Sequence, residues 1–191
     1  MLTELAPPPA EALPIDILAN HLRMPSGFAG GQDEGLELYL RAAIASIEGM
    51  TGKALLSRRF QWKVTRWRNA CGQTVPIAPV SFIASVTLVG KTGDWSSVDP
   101  ARYALQIDAF APKLVGAGGG DLPAIPDDGV AEIEIEAGYG PTWESIPADL
   151  RQAVLLLAAQ FHEQRHISMQ PSATTPFGVS QLIAKHRQVR L

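Results

Sequence analysis

Two histidines four residues apart, with a glutamate beside the first, form the clearest candidate for chemistry in this sequence. His162, Glu163 and His166 match the pattern H-E-x-x-H. On a helix the two imidazoles share one face and can bind zinc, while the glutamate acts as general base toward a metal-bound water. The pattern therefore raises one enzymatic hypothesis, a zinc-dependent hydrolase.

The sequence around this motif does not supply the rest of a catalytic zinc site. The extended pattern requires Gly and His where Met169 and Ser172 stand, and no acidic residue follows Glu163, so only His186 or an upstream residue could be a third ligand. Histidine near the end of a helix also interacts favourably with the helix dipole without any metal. We therefore predict no catalytic residue, no metal ligand and no cofactor, and keep the hydrolase as the alternative.

A glycine-rich run follows a predicted strand and invites comparison with phosphate-binding loops. Gly116-Ala-Gly-Gly-Gly120 lacks the lysine of a P-loop, and Asp121 stands where the G-x-G-x-x-G pattern needs its last glycine. No predicted helix follows to present its N-terminus to a phosphate. We predict a flexible hairpin tip here.

Tryptophans and basic residues are interleaved within residues 58–68, and rings presented in this way can stack on the bases of a nucleic acid. The tryptophans of the chain are Trp62, Trp67, Trp95 and Trp143, and the basic residues of this stretch are Arg58, Arg59, Lys63, Arg66 and Arg68. Alternation along a half-buried strand produces the same pattern, with aromatic residues inward and cations in water. We favour that interpretation and keep a nucleic-acid-binding module as a third hypothesis.

Hydrophobic periodicity predicts the helices that would position these residues. A short helix follows Pro14, and a longer one runs from Asp33, a candidate N-cap, to Thr51-Gly52, where glycine takes the left-handed C-cap. The strongest helical pattern runs from Ala148 to about His166. A last short amphipathic helix follows Pro176, and on a polar linker it could reach a neighbouring subunit.

Between the second and third helices the period falls from about 3.6 to 2, which predicts strands. Phe60, Trp62 and Val64 alternate with polar residues, as do Ile133 and Ile135. The predicted fold class is α+β, a helical bundle of three to four core helices plus a short C-terminal helix, with a small antiparallel β-rich insertion between the second and third core helices. The predicted segments are a flexible Pro-rich arm (1–12), the N-terminal portion of the helical core (13–57), the β-rich insertion (58–143), the C-terminal portion of the helical core (144–167), and a linker with the C-terminal segment (168–191).

Composition places the chain among globular proteins. With 46% hydrophobic and 18% charged residues in 191, it can bury a core and does not have the profile of a disordered chain. The single Cys71 excludes an intramolecular disulfide, and no apolar run approaches the ~18 residues of a membrane span. We expect a soluble protein made in the cytoplasm, with no membrane partner.

Charge is distributed unevenly along the chain, although the net charge is only -3. Residues 121–149 contain eight acidic and no basic side chains, whereas residues 167–191 contain Lys185, Arg187 and Arg190 and no acid. Two solvated surfaces would explain this, and so would a head-to-tail contact or a tail that docks on an acidic partner.

Five stretches spread over nearly the whole chain share their order and spacing with a known family. They are Leu13-Pro-Ile-Asp16 through His21-Leu-Arg23, Tyr39 to Gly52 with Ala54-Leu-Leu56, Ala137-Gly-Tyr-Gly140, Ile146-Pro-Ala-Asp-Leu-Arg-Gln152 into Glu163, and Pro176-Phe-Gly178 to Arg187. Together they resemble the head-to-tail connector (adaptor) proteins of long-tailed phages and of gene transfer agents. The likeness is closest to a gene transfer agent adaptor.

The resemblance implies a structural protein that is not an enzyme and has no cofactor. Such proteins form a ring, usually of twelve subunits, at the portal vertex of a virion or phage-like particle, after synthesis in the bacterial cytoplasm. The implied partners are other copies of the chain, the portal protein, a stopper or tail-completion protein, and DNA in transit through the lumen.

The resemblance also implies two sets of interaction residues. The C-terminal set, expected to dock on the portal, is Phe177, Val179, Leu182, Ile183, Lys185, Arg187 and Arg190. The helical set, expected to pack subunit against subunit, is Leu36, Tyr39, Leu40, Ile44, Leu150, Val154, Leu157 and Phe161.

Overall fold

The computed structural model describes residues 1–24, 33–164 and 176–187. Its helices and antiparallel sheets confirm the predicted α+β class. The chain divides into two units, one made of Met1–Pro7 and Ser57–Tyr139 and the other of Pro8–Leu56 and Gly140–Leu191. We call the first the β unit, since it holds the described strands, and the second the helical unit.

The helical unit contains α1 (Ile15–His21), α2 (Asp33–Thr51), α3 (Ala148–Gln164) and α4 (Phe177–Ile183). The β unit contains β1 (Leu2–Glu4), β2 (Arg58–Val64), β3 (Gly72–Thr74), β4 (Val80–Val89), β5 (Trp95–Ser97), β6 (Tyr103–Gln106), β7 (Lys113–Gly116) and β8 (Val130–Ala137). Among the described helices, none has both the length and the apolar character needed to cross a membrane.

The β unit consists of two antiparallel sheets. The larger has the order β1-β2-β8-β4-β5 and the smaller has the order β3-β7-β6. In the central strand β8, Ala131, Ile133 and Ile135 are fully buried and alternate with glutamates, as the period of 2 predicts. Ile133 lies opposite Trp62 of β2 and Val86 of β4, so all three strands contribute to one apolar face.

The other face of β8 carries ion pairs with β2. Glu134 Oε1 accepts a hydrogen bond from Arg59 Nη1 at 2.9 Å, and Glu132 Oε1 lies 2.5 Å from Lys63 Nζ. Glu132 Oε2 also accepts from Gln61 Nε2 at 3.1 Å. Acids within the predicted acidic stretch are therefore partly neutralised inside the chain, and cross-strand pairs of this kind stabilise a sheet by roughly 0.2–1 kcal/mol each.

The start of the chain differs from the predicted flexible arm over 1–12. Leu2–Glu4 forms edge strand β1, with Leu2 opposite Trp62 and Glu4 opposite Phe60. Glu4 Oε1 also pairs with Arg58 Nε at 3.0 Å. Three residues give no readable period, and their partner lies more than fifty positions along the chain, so local sequence could not reveal this strand.

The helical unit is built on α2 and α3, which pack together. Leu40, Ile47, Leu150 and Val154 have no exposed surface. Gly52, with φ of 69°, ends α2, and its amide donates to the Glu48 carbonyl at 2.8 Å, which confirms the predicted glycine stop. The structure describes α3 as far as Gln164, so its predicted end near residue 166 lies outside the described residues.

Candidate functional site

The C-terminal segment, predicted as the docking element, forms a short helix that packs on α3. α4 begins after Pro176, whose carbonyl accepts a hydrogen bond from the Ser180 amide at 3.0 Å. Val179 and Ile183, one helical turn apart, have no exposed surface. A helix of seven residues is marginal by itself in water, so packing on α3 supplies most of its stability.

Three side chains join the segment after α4 to the first turn of α3, and we call Asp149, Lys185 and His186 the Asp149 cluster. Asp149 Oδ2 accepts hydrogen bonds from His186 Nε2 at 2.7 Å and from Lys185 Nζ at 2.9 Å. Asp149 Oδ1 accepts from the Leu150 amide at 3.0 Å. The side chains of Asp149 and His186 are 19% and 10% exposed, whereas that of Lys185 is 73% exposed.

The electrostatics of the cluster favour an ionised carboxylate. Burial by itself raises the pKa of Asp149, but hydrogen bonds from Lys185 and His186, the charge that His186 carries when protonated and the Leu150 amide outweigh burial and lower the pKa to about 2. A negative charge in the first turn of α3 is also stabilised by the helix dipole. The cluster therefore holds the end of the described chain against the N-terminus of α3.

Some of the predicted docking residues are covered inside the chain. Val179 and Ile183 are fully buried, and Leu182 is half-buried. This differs from their predicted role, because a side chain without exposed surface has none to offer a partner in this conformation. The amphipathic pattern correctly indicated an apolar face on α4, but the structure shows that α3 of the same chain contacts α4.

The remaining docking residues are accessible where the structure describes them. Phe177 is 79% exposed, and Lys185 and Arg187 are exposed as well. Arg190 lies outside the described residues. One aromatic ring and two cations thus remain on the surface of this segment.

The helical set predicted to lie between subunits belongs mainly to the core of the chain itself. Six of its members are at most 5% exposed, namely Leu36, Leu40, Ile44, Leu150, Val154 and Leu157. Tyr39 and Phe161 are partly exposed. The structure also shows an accessible apolar side chain that the prediction omitted, Leu38 of α2, which is 65% exposed because it lies off the apolar stripe.

Comparisons with solved structures give near-complete matches. A chain from the neck of an empty gene transfer agent (GTA) particle computed with C6 symmetry has 45% identity and a TM-score of 0.90, with 100% of this chain and 97% of that chain covered. A chain from the neck of a native GTA particle computed with C12 symmetry has 43% identity and a TM-score of 0.87, with the same coverage. A chain from the virion of a native gene transfer agent particle has 46% identity and a TM-score of 0.87, again with the same coverage.

The chain belongs to the family of gene transfer agent neck proteins. No family model and no curated protein matches it. The predicted likeness to gene transfer agent connectors is confirmed at this level, whereas the likeness to connectors of long-tailed phages stays a prediction.

In this neck protein the H-E-x-x-H motif is only partly described. The His162 ring packs edge-on against Tyr39, with centroids 5.7 Å apart and planes at 87°, and Glu163 is exposed. His166 lies outside the described residues. Within the described ranges, no three His, Cys, Asp or Glu side chains are grouped so that they could hold a metal ion. His162 is thus used in aromatic packing at the end of α3.

The glycine run of the neck protein is a turn and not a hairpin tip. β7 pairs with β3 and β6, and the chain leaves β7 through a 3-10 turn at Ala117–Gly119. A Cβ at Gly116 would lie 2.1 Å from the Gly120 carbonyl oxygen, so this position requires glycine. Glycine in this run allows two backbone segments to approach each other closely. The prediction of a hairpin tip was wrong, because segments distant along the chain decide which strands pair.

The tryptophans of the neck protein occupy different environments. Trp62 and Trp143 are 5% exposed, which agrees with the predicted inward orientation, whereas Trp95 is 73% exposed. Trp67 is half-buried, and its Nε1 donates to the Pro123 carbonyl at 2.8 Å. Trp62 and Trp67 are therefore structural elements of the β unit.

Proposed function

We propose that this chain is a structural adaptor subunit, without enzymatic activity, that forms a ring of twelve copies in the neck of a gene transfer agent particle. The observation that carries the proposal is full-length likeness, at 43% and 45% identity, to neck chains from reconstructions with C12 and C6 symmetry. In a closed ring each subunit contacts its neighbours through two different surfaces. The ring lies at the portal vertex, between the portal and the stopper or tail, and leaves a conduit for DNA.

The two units have separate roles in this proposal. The helical unit is the bundle of the family, and the Ser57–Tyr139 part of the β unit is an insertion between α2 and α3, whereas edge strand β1 precedes α1. Most of the bundle's apolar residues hold the subunit together, so ring contacts use accessible positions such as Leu38, Tyr39 and Phe161. The stable subunit core is then formed before assembly, and the ring adds contacts between its surfaces.

The C-terminal segment docks on the portal through its accessible side chains. Phe177 supplies an apolar anchor, and Arg187 and Arg190 supply positive charge, which suits a partner groove that combines an apolar pocket with acidic residues. Val179 and Ile183 hold α4 on α3. The Asp149 cluster restrains the segment after α4, so this segment loses less conformational entropy when it docks.

A paired substitution tests the docking role without touching the buried side of α4. In cells whose only copy of the gene carries F177A with R187E, electron micrographs should show heads that lack attached necks and tails. The matched control is F110A with R102E, which makes the same two changes at exposed positions of the β unit. Normal necks on F177A/R187E particles would contradict portal docking by this segment.

The ring itself is tested separately. A reconstruction of the particle neck with this chain traced should show twelve copies around the axis beneath the portal. Finding the chain elsewhere in the particle, or as a single copy, would contradict the adaptor assignment.

A further inference from the structure

A cationic groove lies where β2 runs into the loop before β3. Its volume is about 360 Å³, and its lining residues are Trp62, Lys63, Val64, Thr65, Arg66, Arg68 and Gln73. Three of these side chains are cations, none is acidic, and the others that reach solvent include a hydroxyl and an amide. The whole groove belongs to the β unit.

The cations of this groove differ in how they are paired. Lys63 Nζ forms an ion pair with Glu132 Oε1 at 2.5 Å, and the neighbouring Glu134 of β8 forms an ion pair with Arg59. Arg66 and Arg68 are exposed, and within the described part of the chain neither guanidinium has an ion pair or a hydrogen bond. The groove therefore carries about two uncompensated positive charges, on the side chains best suited to bidentate contacts with oxyanions.

The loop that carries the two arginines is anchored on both sides. The Arg68 amide donates to Gln73 Oε1 at 2.9 Å, and Trp67 Nε1, between the arginines, donates to the Pro123 carbonyl at 2.8 Å. Because the backbone of this loop is restrained before binding, the loop loses less conformational entropy when a ligand binds. These two hydrogen bonds restrain the backbone at and next to the arginines, whose side chains are exposed.

We propose that this groove binds the phosphate backbone of duplex DNA. The proposal rests on the proposed function, which brings DNA through the neck, and it names the residues that meet the phosphates. Phosphate contacts by Arg and Lys carry no sequence information, and the one ring that lines the groove, Trp62, is buried and cannot stack on bases. Protein interfaces are also enriched in arginine, but they are depleted of lysine and enriched in accessible aromatic residues, and this groove is lined by a lysine and by no exposed aromatic ring.

The salt dependence of DNA binding by the purified full-length chain tests the proposal. Each phosphate neutralised on duplex DNA contributes about 0.9 to the slope of log K against log salt concentration. We expect R66Q/R68Q to lower the magnitude of that slope by about 1.8 and to weaken binding at least about tenfold near 50 mM salt. Fluorescence anisotropy of a labelled duplex of arbitrary sequence measures both quantities.

The control is R102Q/K113Q, which removes the same net charge from exposed positions of the β unit outside the groove. It should bind within about twofold of the wild type, and the thermal midpoints of all three proteins should agree. The proposal is overturned if the wild type does not bind the duplex, if both double variants lose affinity equally, or if a polyglutamate peptide binds the groove and DNA does not. Because the assay uses the isolated subunit, any of these failures leaves the ring proposal standing.

Discussion

Replacing Asp149 by asparagine tests the Asp149 cluster most directly. The substitution keeps the size of the side chain and removes its charge, so Lys185 and His186 lose the carboxylate they contact at 2.9 and 2.7 Å. Asparagine keeps one oxygen that accepts hydrogen bonds and replaces the other by an NH2 donor. Without the negative charge, the favourable interaction of residue 149 with the α3 dipole is also lost. The variant therefore isolates the electrostatic contribution of the cluster.

The magnitude follows from the pKa of the carboxyl. Lowering it from 3.8 to about 2 corresponds to about 2 kcal/mol, since each tenfold change in an acid constant is worth about 1.4 kcal/mol. The Lys185 partner is mostly exposed, so solvent screening reduces the expected contribution to about 1–2 kcal/mol. Because the folded-state pKa is depressed, this stability is present above about pH 4 and is lost as the pH falls from about 4 to about 2.

Urea unfolding followed by far-ultraviolet circular dichroism, for wild type and D149N across this pH range, measures the effect. The difference in free energy of unfolding should be about 1–2 kcal/mol at about pH 5 and should close as the wild-type carboxyl is protonated. D16N is the matched control, because Asp16 is an exposed carboxylate in the first turn of α1. A difference that stays constant over the range, or a D16N profile that matches D149N, would refute the electrostatic account.

The remaining predictions concern packing, backbone conformation and metal content. I183A should lower the free energy of unfolding, measured by urea titration, by about 2–5 kcal/mol, since Ile183 is fully buried. F177A should change it by less than about 0.5 kcal/mol, because that ring is largely exposed. Equal losses in the two variants would argue against the packing of α4 on α3. G52A should cost about 1 kcal/mol in the same assay, because the φ of 69° at the end of α2 is unfavourable for alanine, and an unchanged midpoint would contradict this. Elemental analysis should find no stoichiometric zinc in the purified protein and no difference in H162A, whereas one zinc per chain that disappears in H162A would revive the hydrolase alternative.

Features of the chain that depend on local spacing were predictable. The glycine at the end of α2 and the alternation in β8 follow from conformational preferences and from the periods of 3.6 and 2, which extend over only a few neighbouring residues. The buried face of α4 was predictable for the same reason, as was the α+β class. The order and spacing of short stretches also pointed to the connector family.

The candidate sites were less predictable, because residues far apart in sequence form them. Asp149 contacts His186 across 37 positions, and neither residue carries a local signal of the other. Arg66 and Arg68 are ordinary basic residues among five until the pairing of β2 with β1 and β8 shows that the other three cations already have acidic partners.

The sequence by itself determined which residues must be buried, because the type and periodicity of the side chains define the apolar faces of helices and strands. Only the tertiary structure decided which elements these residues pack against, because strand pairing and helix packing depend on segments that are distant along the chain. Leu40 and Val154 are thus covered within their own subunit, Leu2–Glu4 becomes a sheet edge, and Phe177 is left exposed on the surface. The residues available to partners are those that remain exposed or unpaired after the chain has buried its own apolar faces and paired its own charges. Which residues these are depends on the whole fold.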